Sequence, residues 1–326
     1  MQTLLNSLRA AGEPTRLRLL ALLARAELTV SELTQILGQS QPRVSRHLKL
    51  LCEARLIDRF QEGSWVFYRF ADHGPAAAVA GALAKLIPEH DVELGRDAQR
   101  LAAIKRAHAE RAGAYFRENA AHWDHIRSLY VAESEVERAM MEALGDGPID
   151  ELLDLGTGTG HVLRVFSDRI RRGLGIDCSR EMLAVARANL EQSNLRHCQV
   201  RQGDIYNLEL PSGAVDTAII HHVLHFLDDP AAAVAEAART LRPGGRLLIV
   251  DFSPHQLEFL RTRYAHRRLG FADDEVASWC EAAGLGELSM RHLAASGKTD
   301  SEQLVVSLWR STRRKDSAAT YEREVA

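Results

Sequence analysis

The sequence of 326 residues predicts a multi-domain protein, in which an α+β domain is followed by a helical connector and an α/β domain. Three observations lead to this prediction. Helical patterns and then a hairpin fill the first 72 residues. Residues 76–135 are rich in alanine and charge and almost free of glycine and proline, which is typical of helix, with breaks expected at Pro75, Pro88 and Gly95. From Glu151 onward strands alternate with helices, which is typical of a parallel sheet covered on both faces.

The composition is ordinary for a soluble protein, with 46% hydrophobic and 26% charged residues. No apolar run approaches the ~20 residues of a membrane-spanning helix, and the charged N-terminus does not resemble a signal peptide. Four scattered cysteines without a C-x-x-C pair lead us to expect a cytoplasmic location. Residues 1–72 carry ten Lys or Arg against seven Asp or Glu, which hints at nucleic-acid contact.

The first domain is predicted to be a winged helix-turn-helix. The expected elements are a helix opening at Glu13, a short helix capped by Thr29 or Ser31 and ended by Gly38, a helix over 40–54, and strands over 56–60 and 65–70. On the third helix Val44, Leu48 and Leu51 face inward, which leaves the polar side chains for solvent or DNA. The predicted DNA-binding residues of this helix and of the hairpin are Ser40, Gln41, Arg43, Ser45, Arg46, His47, Lys49, Arg59 and Arg69. The alternative is a solvated basic helix on a protein-docking module.

Residues 8–72 closely resemble the ArsR family of winged-helix repressors. The pattern S-Q-x-x-V-S-R-H-L is present from Ser40 to Leu48, and the wing sequence from Arg59 to Arg69 also fits. The resemblance implies a homodimer that binds a palindromic operator and leaves it when a ligand binds. Metal-sensing members carry two thiols where this chain has Thr29 and Ser31, and hydroxyls are poor ligands for As(III) or Cd(II). We therefore expect As(III), Cd(II) and Zn(II) to have no effect on DNA binding, and we interpret Cys52 as a core thiol.

A glycine-rich segment follows the first strand of the α/β domain. The strand from Glu151 to Leu155 runs into Gly156, Gly158 and Gly160, and a helical pattern starts at His161. Glycines at such a turn let the backbone pass close to a ligand. The dinucleotide fingerprint G-x-G-x-x-G would require glycine where His161 stands, so the spacing argues against NAD.

This D-x-G-x-G-x-G pattern resembles motif I of the class I S-adenosylmethionine (SAM) methyltransferases, whose fold is Rossmann-like. The resemblance covers residues 148–252 well and 253–310 loosely. Asp177 ends the second strand, where a carboxylate can accept both ribose hydroxyls, and Met182 would pack on the adenine. The resemblance implies a cofactor site for SAM or S-adenosylhomocysteine (SAH) formed by Asp154, Gly156, Thr157, Gly158, Gly160, Asp177, Cys178, Met182, Gly203, Asp204, Ile205, His221 and Tyr115.

Three histidines, His221, His222 and His225, lie near Asp228 and Asp229 and could suggest a metal site. Because neighbouring residues of a strand point to opposite faces, we expect no metal there. We expect His221 to line the cofactor pocket instead, while any of the three has a suitable ordinary pKa for a general base. No N-P-P-Y sequence and no cysteine set of the arsenite methyltransferase type is present, so the catalytic residues stay unknown.

The predicted domain limits are 1–90 for the DNA-binding and dimerisation domain, 91–135 for the connector, 136–310 for the SAM-binding domain and 311–326 for a disordered tail. Tyr115-Phe116 and Trp123-Asp124 either close over the cofactor or pack between domains. The segment from His266 to Phe271 could reach the mouth of the pocket or a dimer partner.

The order of domains resembles the fused ArsR-type regulators that respond to SAH (SahR type) and govern genes of methionine and SAM metabolism. The resemblance implies a DNA-binding repressor whose methyltransferase-fold domain is a sensor for SAM or SAH. The alternative is an active methyltransferase of a small molecule fused to an autoregulatory repressor domain. A metalloid sensor is disfavoured by Thr29 and Ser31.

Overall fold

The computed structural model describes residues 1–62, 65–71, 74–88, 91–119, 132–294 and 304–314. The chain forms two compact units, of which the first comprises residues 1–112 and 258–262 and the second residues 113–257 and 263–326. The first is α+β and the second α/β, so the predicted multi-domain fold class is confirmed. Within the described part of the chain, no helix has the length and apolar character needed to span a membrane.

The first unit is a small helical domain with a three-stranded antiparallel sheet of order β1-β3-β2. Its helices are α1 (Gln2–Ala11), α2 (Pro14–Leu23), α3 (Val30–Leu37), α4 (Gln41–Glu53), α5 (Gly74–Leu86) and the first part of α6 (Val92–Asn119). Its strands are β1 (Leu28–Thr29), β2 (Ile57–Glu62) and β3 (Trp65–Phe70).

The turn between α3 and α4 is built as the sequence predicts. Thr29 caps α3 in a reciprocal capping box with Glu32, which satisfies two backbone N–H groups of the first turn. Gly38 ends α3 with φ +63°, a left-handed conformation that glycine adopts without strain. Val44 and Leu48 of α4 are fully buried, so the predicted inner face is confirmed.

Two elements of the first unit were not predicted, and one predicted break is wrong. Helix α1 and strand β1 are additional. Strand β1 has only two residues, so the sequence cannot show an alternation of apolar and polar residues there. Helix α6 continues through Gly95, where a break was expected. A glycine costs a helix about 1 kcal/mol, which the burial of Leu101 and Ile104 in the core of the first unit offsets.

The second unit is a seven-stranded sheet of order β6-β5-β4-β7-β8-β10-β9 with helices packed on it. Its strands are β4 (Ile149–Leu155), β5 (Ile170–Asp177), β6 (Cys198–Gln202), β7 (Val215–His221), β8 (Leu241–Phe252), β9 (Leu285–Ala294) and β10 (Val305–Arg313). Its helices are α7 (Glu133–Leu144), α8 (His161–Val165), α9 (Arg180–Gln192), α10 (Pro230–Thr240) and α12 (Asp273–Ala282). The short helix α11 (Phe259–Arg263), which precedes α12 in the chain, falls almost entirely within the first unit.

The far end of this sheet differs from the prediction. Strand β10 runs antiparallel to both β8 and β9, and β9 was not predicted at all. Its alternation is weak, because most of its middle residues are exposed. The predicted disordered tail began at Ser311, yet this residue belongs to β10, while residues 315–326 lie outside the described part. Glu287 of β9 has φ +54°, and the β9–β10 register shifts between Arg310 and Thr312.

The topology brings the predicted ligand-binding residues to one edge of the sheet. Strand β4 lies between β5 and β7, and all three are parallel. The connection after β4 leads to β5 on one side, and the connection after β7 leads to β8 on the other side. The crevice between two such diverging connections, at the carboxyl ends of the strands, is where open α/β sheets bind ligands.

Candidate ligand-binding site and nucleic-acid interface

The loop between β4 and α8 contains three glycines with left-handed backbone angles. φ is +70° at Gly156, +52° at Gly158 and +77° at Gly160, which side chains with a Cβ rarely adopt. A Cβ on Gly156 would also overlap both methyl groups of Val223, which follows β7. The N–H of Gly156 donates to the carbonyl of Ile176 at 2.7 Å, which ties the loop to β5. This loop therefore requires glycine at Gly156 for space as well as for conformation.

Asp177 joins the glycine-rich loop to the end of β5. Its Oδ2 accepts the N–H of Gly158 at 2.8 Å, and its Oδ1 accepts the N–H of Ser179 at 2.8 Å. Burial raises the pKa of this carboxyl, and the backbone N–H groups partly oppose that rise. The side chain is half-buried, so the same carboxylate can also accept hydroxyl groups of a bound ligand.

Asp154 and Thr157 support the loop from within the protein. The hydroxyl of Thr157 donates to Oδ2 of Asp154 at 2.5 Å, and both residues are buried. A Cβ on Gly175 of β5 would lie 2.5 Å from the Thr157 hydroxyl, so β5 packs tightly below the loop. The structure thus places these two predicted cofactor residues where they position the loop.

The other predicted cofactor residues lie at the same edge with different exposures. Met182 is buried at the start of α9, whose first turn is capped by Ser179. Cys178 and Asp204 are exposed, and Asp204 accepts the N–H of Tyr206. Gly203 and Ile205 are partly buried beside them.

The predicted lid segment is only partly described. Tyr115 and Phe116 lie on α6, but their side chains are outside the described part of the structure. Trp123 and Asp124 fall within residues 120–131, which are also outside it. Closure of this segment over a ligand therefore stays a prediction.

A row of imidazole rings crosses this edge of the sheet. Ring centroids are 6.5 Å apart for His161 and His221, 4.5 Å for His221 and His222, and 6.3 Å for His222 and His225. His225 stacks in turn on His266 at 4.0 Å. At the other end of the row, Nε2 of His161 lies 3.0 Å from carboxylates of both Glu133 and Glu137 on α7. The predicted pocket residue His221 stands in the middle of this row.

His225 forms a buried pair with Asp251, the penultimate residue of β8. Nδ1 of His225 lies 2.7 Å from Oδ1 of Asp251, and both residues are almost completely buried. Burial holds the pKa of the His225 imidazole well below its usual value and raises the pKa of Asp251 to about 6. Both shifts disfavour the doubly charged pair, so we treat His225 as a neutral imidazole that donates from Nδ1.

Most of the residues predicted to bind DNA have exposed side chains, and their contacts with DNA stay a prediction. Ser40, Gln41, Arg43, Arg46 and Lys49 are exposed, and so is Arg59 on β2, while Ser45 is partly buried. His47 turns toward Glu13, with Nδ1 3.5 Å from a carboxylate oxygen. Arg69 lies 3.9 Å from Glu27 and over the ring of Phe60. These two side chains are thus engaged within the first unit, which the face assignment from sequence did not show.

Sequence comparisons identify both units. Residues 13–59 match the family model for bacterial regulatory proteins of the ArsR family, and residues 153–249 match that for a methyltransferase domain. An uncharacterized 37.1 kDa protein of a Streptomyces fradiae transposon is 41% identical over 121 residues, which are 36% of this chain and 34% of that protein. A probable S-adenosylmethionine-dependent methyltransferase of Mycolicibacterium smegmatis is 30% identical over 158 residues, which are 44% of this chain and 60% of that protein. The chain thus spans less than two thirds of each relative.

Structural comparison agrees with the fold of the second unit. A chain from the complex between the Haloferax volcanii Trm112 methyltransferase activator and a candidate methyltransferase superposes with a TM-score of 0.51. It is 22% identical and covers 61% of this chain and 97% of its own. This protein therefore carries an ArsR-family helix-turn-helix and a class I methyltransferase-fold domain, and both resemblances seen in the sequence are confirmed.

Several residues of this edge were not found from sequence. The sequence contained a usable signal for Asp251, because this acidic residue lies near the end of a strand, as Asp177 does. The sequence signal for Glu133 and Glu137 was weaker and consisted only of their spacing, since residues four apart share a helix face. Val223 had none, because only the packed structure shows that its methyl groups exclude a Cβ from the loop.

Proposed function

We propose that this protein is a homodimeric transcriptional repressor of ArsR type whose methyltransferase-fold domain binds SAM or SAH as the effector. We further propose that it controls genes of methionine and SAM metabolism. The observation that carries the effector proposal is the link from Asp177 to Gly158 at the carboxyl ends of β5 and β4. At this link the Asp177 carboxylate lies beside glycine backbone that carries no side chain. This pairing suits the ribose and the amino-acid part of such a ligand.

The response is expected to distinguish SAH from SAM. The two ligands differ by one methyl group and one positive charge at sulfur, so a pocket can separate them electrostatically. Sensing requires that the ligand bind the DNA-competent and DNA-incompetent states with different affinity. We expect SAH to release the protein from its operator more effectively than SAM.

The dimer proposal rests on an apolar surface of α1. Leu4, Leu5 and Leu8 are exposed by 42%, 40% and 45%, although α1 packs on its other side within the first unit. A cluster of exposed leucines on one helix suits a self-complementary contact between two copies. Replacing Leu4 and Leu8 by glutamate should yield a monomer in sedimentation analysis. The variant Met290→Glu, at an equally exposed apolar position of β9, should leave the mass unchanged, and a wild-type monomer would refute the proposal.

An active methyltransferase is the second candidate function. It is favoured by the Mycolicibacterium smegmatis relative, whose name is that of a probable methyltransferase. Two results together would select this candidate: transfer of a labelled methyl group from SAM to a small molecule, and a DNA affinity that SAH does not change.

The deciding experiment is calorimetric titration of the full chain with SAM and with SAH, repeated on its complex with operator DNA selected from genomic fragments. Asp177→Ala should weaken binding by about 1–3 kcal/mol, because ligand hydroxyls would lose their acceptor. Asp168→Ala, at an exposed position on the α8–β5 connection, is the matched control and should bind as the wild type does. Equal affinity of all three proteins would reject the site, and operator release by metal ions with SAH inert would reject the sensor.

A further inference from the structure

Three side chains with metal-binding atoms converge at the ends of β7 and β8, outside the glycine-rich loop. Each of His222, His225 and Asp251 offers one nitrogen or oxygen, and these three atoms all lie within 4.8 Å of one another. His225 and Asp251 are 2% and 0% exposed, and His222 is partly buried. A tetrahedral zinc site places its donor atoms roughly 3.4 Å apart, given metal–ligand distances of about 2.0–2.2 Å. Small side-chain rotations are therefore enough to close these atoms around an ion.

The backbone explains why neighbouring residues can share a face here. The alternation of a strand would send His221 and His222 to opposite sides of the sheet. However, β7 ends at His221, and His222 has φ +54°, a left-handed angle that is uncommon for histidine. The N–H of His222 still donates to the carbonyl of Val250 at 2.8 Å, so the strained residue is held in place. Strain of this kind is concentrated at functional sites.

We infer that His222, His225 and Asp251 form a binding site for a divalent transition-metal ion. Two imidazoles and one carboxylate suit Zn²⁺, Co²⁺ and related ions, for which imidazole is a preferred ligand. A bound cation would also compensate the charge of a carboxylate that is fully buried, where an isolated charge is costly. This inference departs from the sequence-based expectation of no metal at these histidines, because that expectation assumed strand alternation through His222.

Binding has a defined proton balance. Without a bound ion, the neutral His225 imidazole assigned above carries its proton on Nδ1 and donates a hydrogen bond to Asp251, with 2.7 Å between the two heavy atoms. Coordination through this nitrogen displaces that proton to solvent, while the carboxylate exchanges the hydrogen bond for a bond to the metal. No change of oxidation state is involved, and the fourth position is open to water or to a ligand atom.

The second group of metal-ligand type, Glu133, Glu137 and His161, is a weaker candidate. Its two carboxylates are 24% and 29% exposed, so water competes for them. His161 already lies 3.0 Å from both, and a protonated imidazole would neutralise much of their charge. With only one nitrogen donor, this group also suits borderline metals less well.

The experiment measures metal binding by the full chain, without SAH or DNA. The protein is stripped with a chelator, dialysed and titrated with Co²⁺, whose d–d absorption reports coordination by protein side chains. We expect one ion per chain, and at least tenfold weaker binding in His222→Gln and in His225→Gln. His292→Gln removes a half-exposed imidazole from β9 and should bind as the wild type does.

Three results would overturn the inference. They are the absence of stoichiometric binding, binding that both glutamine variants retain, and loss of binding in Glu137→Gln alone, which would place the ion at the other group. If His225→Gln does not fold, as judged by circular dichroism, the partly exposed His222→Gln still decides. Because neither SAH nor operator DNA takes part, failure here leaves the proposed function untouched.

Discussion

On helix α4 the candidate functional groups are the ends of side chains that point away from a buried apolar face. In the loop after β4 the candidate binding surface is glycine backbone, held at left-handed angles and bonded within the protein to Ile176 and Asp177. Arg43 and Lys49 are exposed, and the fold does not depend on their chemistry. Gly156 is fixed by its own φ of +70° and by the methyl groups of Val223. The difference teaches that a substitution on the exposed face of α4 would change recognition without changing the fold, whereas a substitution at Gly156 would change local structure as well as any ligand binding.

The largest effect on stability and ligand binding is expected for Gly156→Ala. The left-handed angle should cost about 1–2 kcal/mol and the overlap with Val223 a further 1–3 kcal/mol or so. We expect a lower free energy of unfolding in urea and no measurable SAH binding by calorimetry. The double variant Gly156→Ala with Val223→Ala should recover the steric part only. A single variant that is as stable as the wild type would contradict the account of the loop.

On α4, removal of one side chain should change recognition and nothing else. If Arg43 contacts a base, Arg43→Ala should reduce discrimination between operator and random DNA by about 1–3 kcal/mol. The same loss is expected for Gln41→Ala. The measurement is a pair of binding titrations on the two DNAs, with thermal unfolding as the control for stability. Unchanged discrimination in both variants would favour the solvated-helix alternative.

The carboxylate of Asp177 should make ligand binding depend on pH. Its pKa is raised by burial, and ligand hydroxyls need the ionised form, so affinity should fall as the pH drops toward that raised pKa. Below it, the loss should approach tenfold per pH unit. Calorimetry from about pH 7.5 to pH 5 on wild type and Asp177→Asn tests this, and the variant should show a flat profile. Parallel profiles would assign the dependence to another group.

The smallest effect is expected for Lys49→Ala. The side chain is 77% exposed and lies 3.8 Å from Glu53 one turn away, a pair worth about 0.3–0.5 kcal/mol. We expect operator and random DNA to be weakened alike, and the slope of log affinity against log salt to decrease by about one phosphate contact. A loss restricted to the operator would make Lys49 a base-reading residue.

Periodicity predicted most of the fold, because buried strands and amphipathic helices leave a regular trace in the sequence. The winged helix-turn-helix was readable from Thr29, Gly38 and the apolar face of α4. Strand β9 was not, because its exposed middle residues remove the alternation on which the prediction depends.

The features of the candidate sites also divide into those that the sequence predicts and those that only the folded structure shows. Asp177 and the glycines were predictable, since they follow strands at fixed spacing. The engagement of His47 by Glu13 was not, because a helix face can be read from sequence but a tertiary partner cannot. The turn at His222 was missed because a left-handed angle on a histidine has no sequence signature.

Strand β9 has a consequence for how copies of the protein avoid one another. It is the last strand of the sheet, so one row of its backbone N–H and C=O groups faces away from β10. Such a row is a template for another strand and hence for aggregation. The left-handed residue Glu287 and the register shift opposite it interrupt this row, and Arg291 adds charge along it. The irregular end of the sheet thus disfavours pairing of β9 with a strand of another molecule, and it would leave the proposed contact between two copies to the leucines of α1.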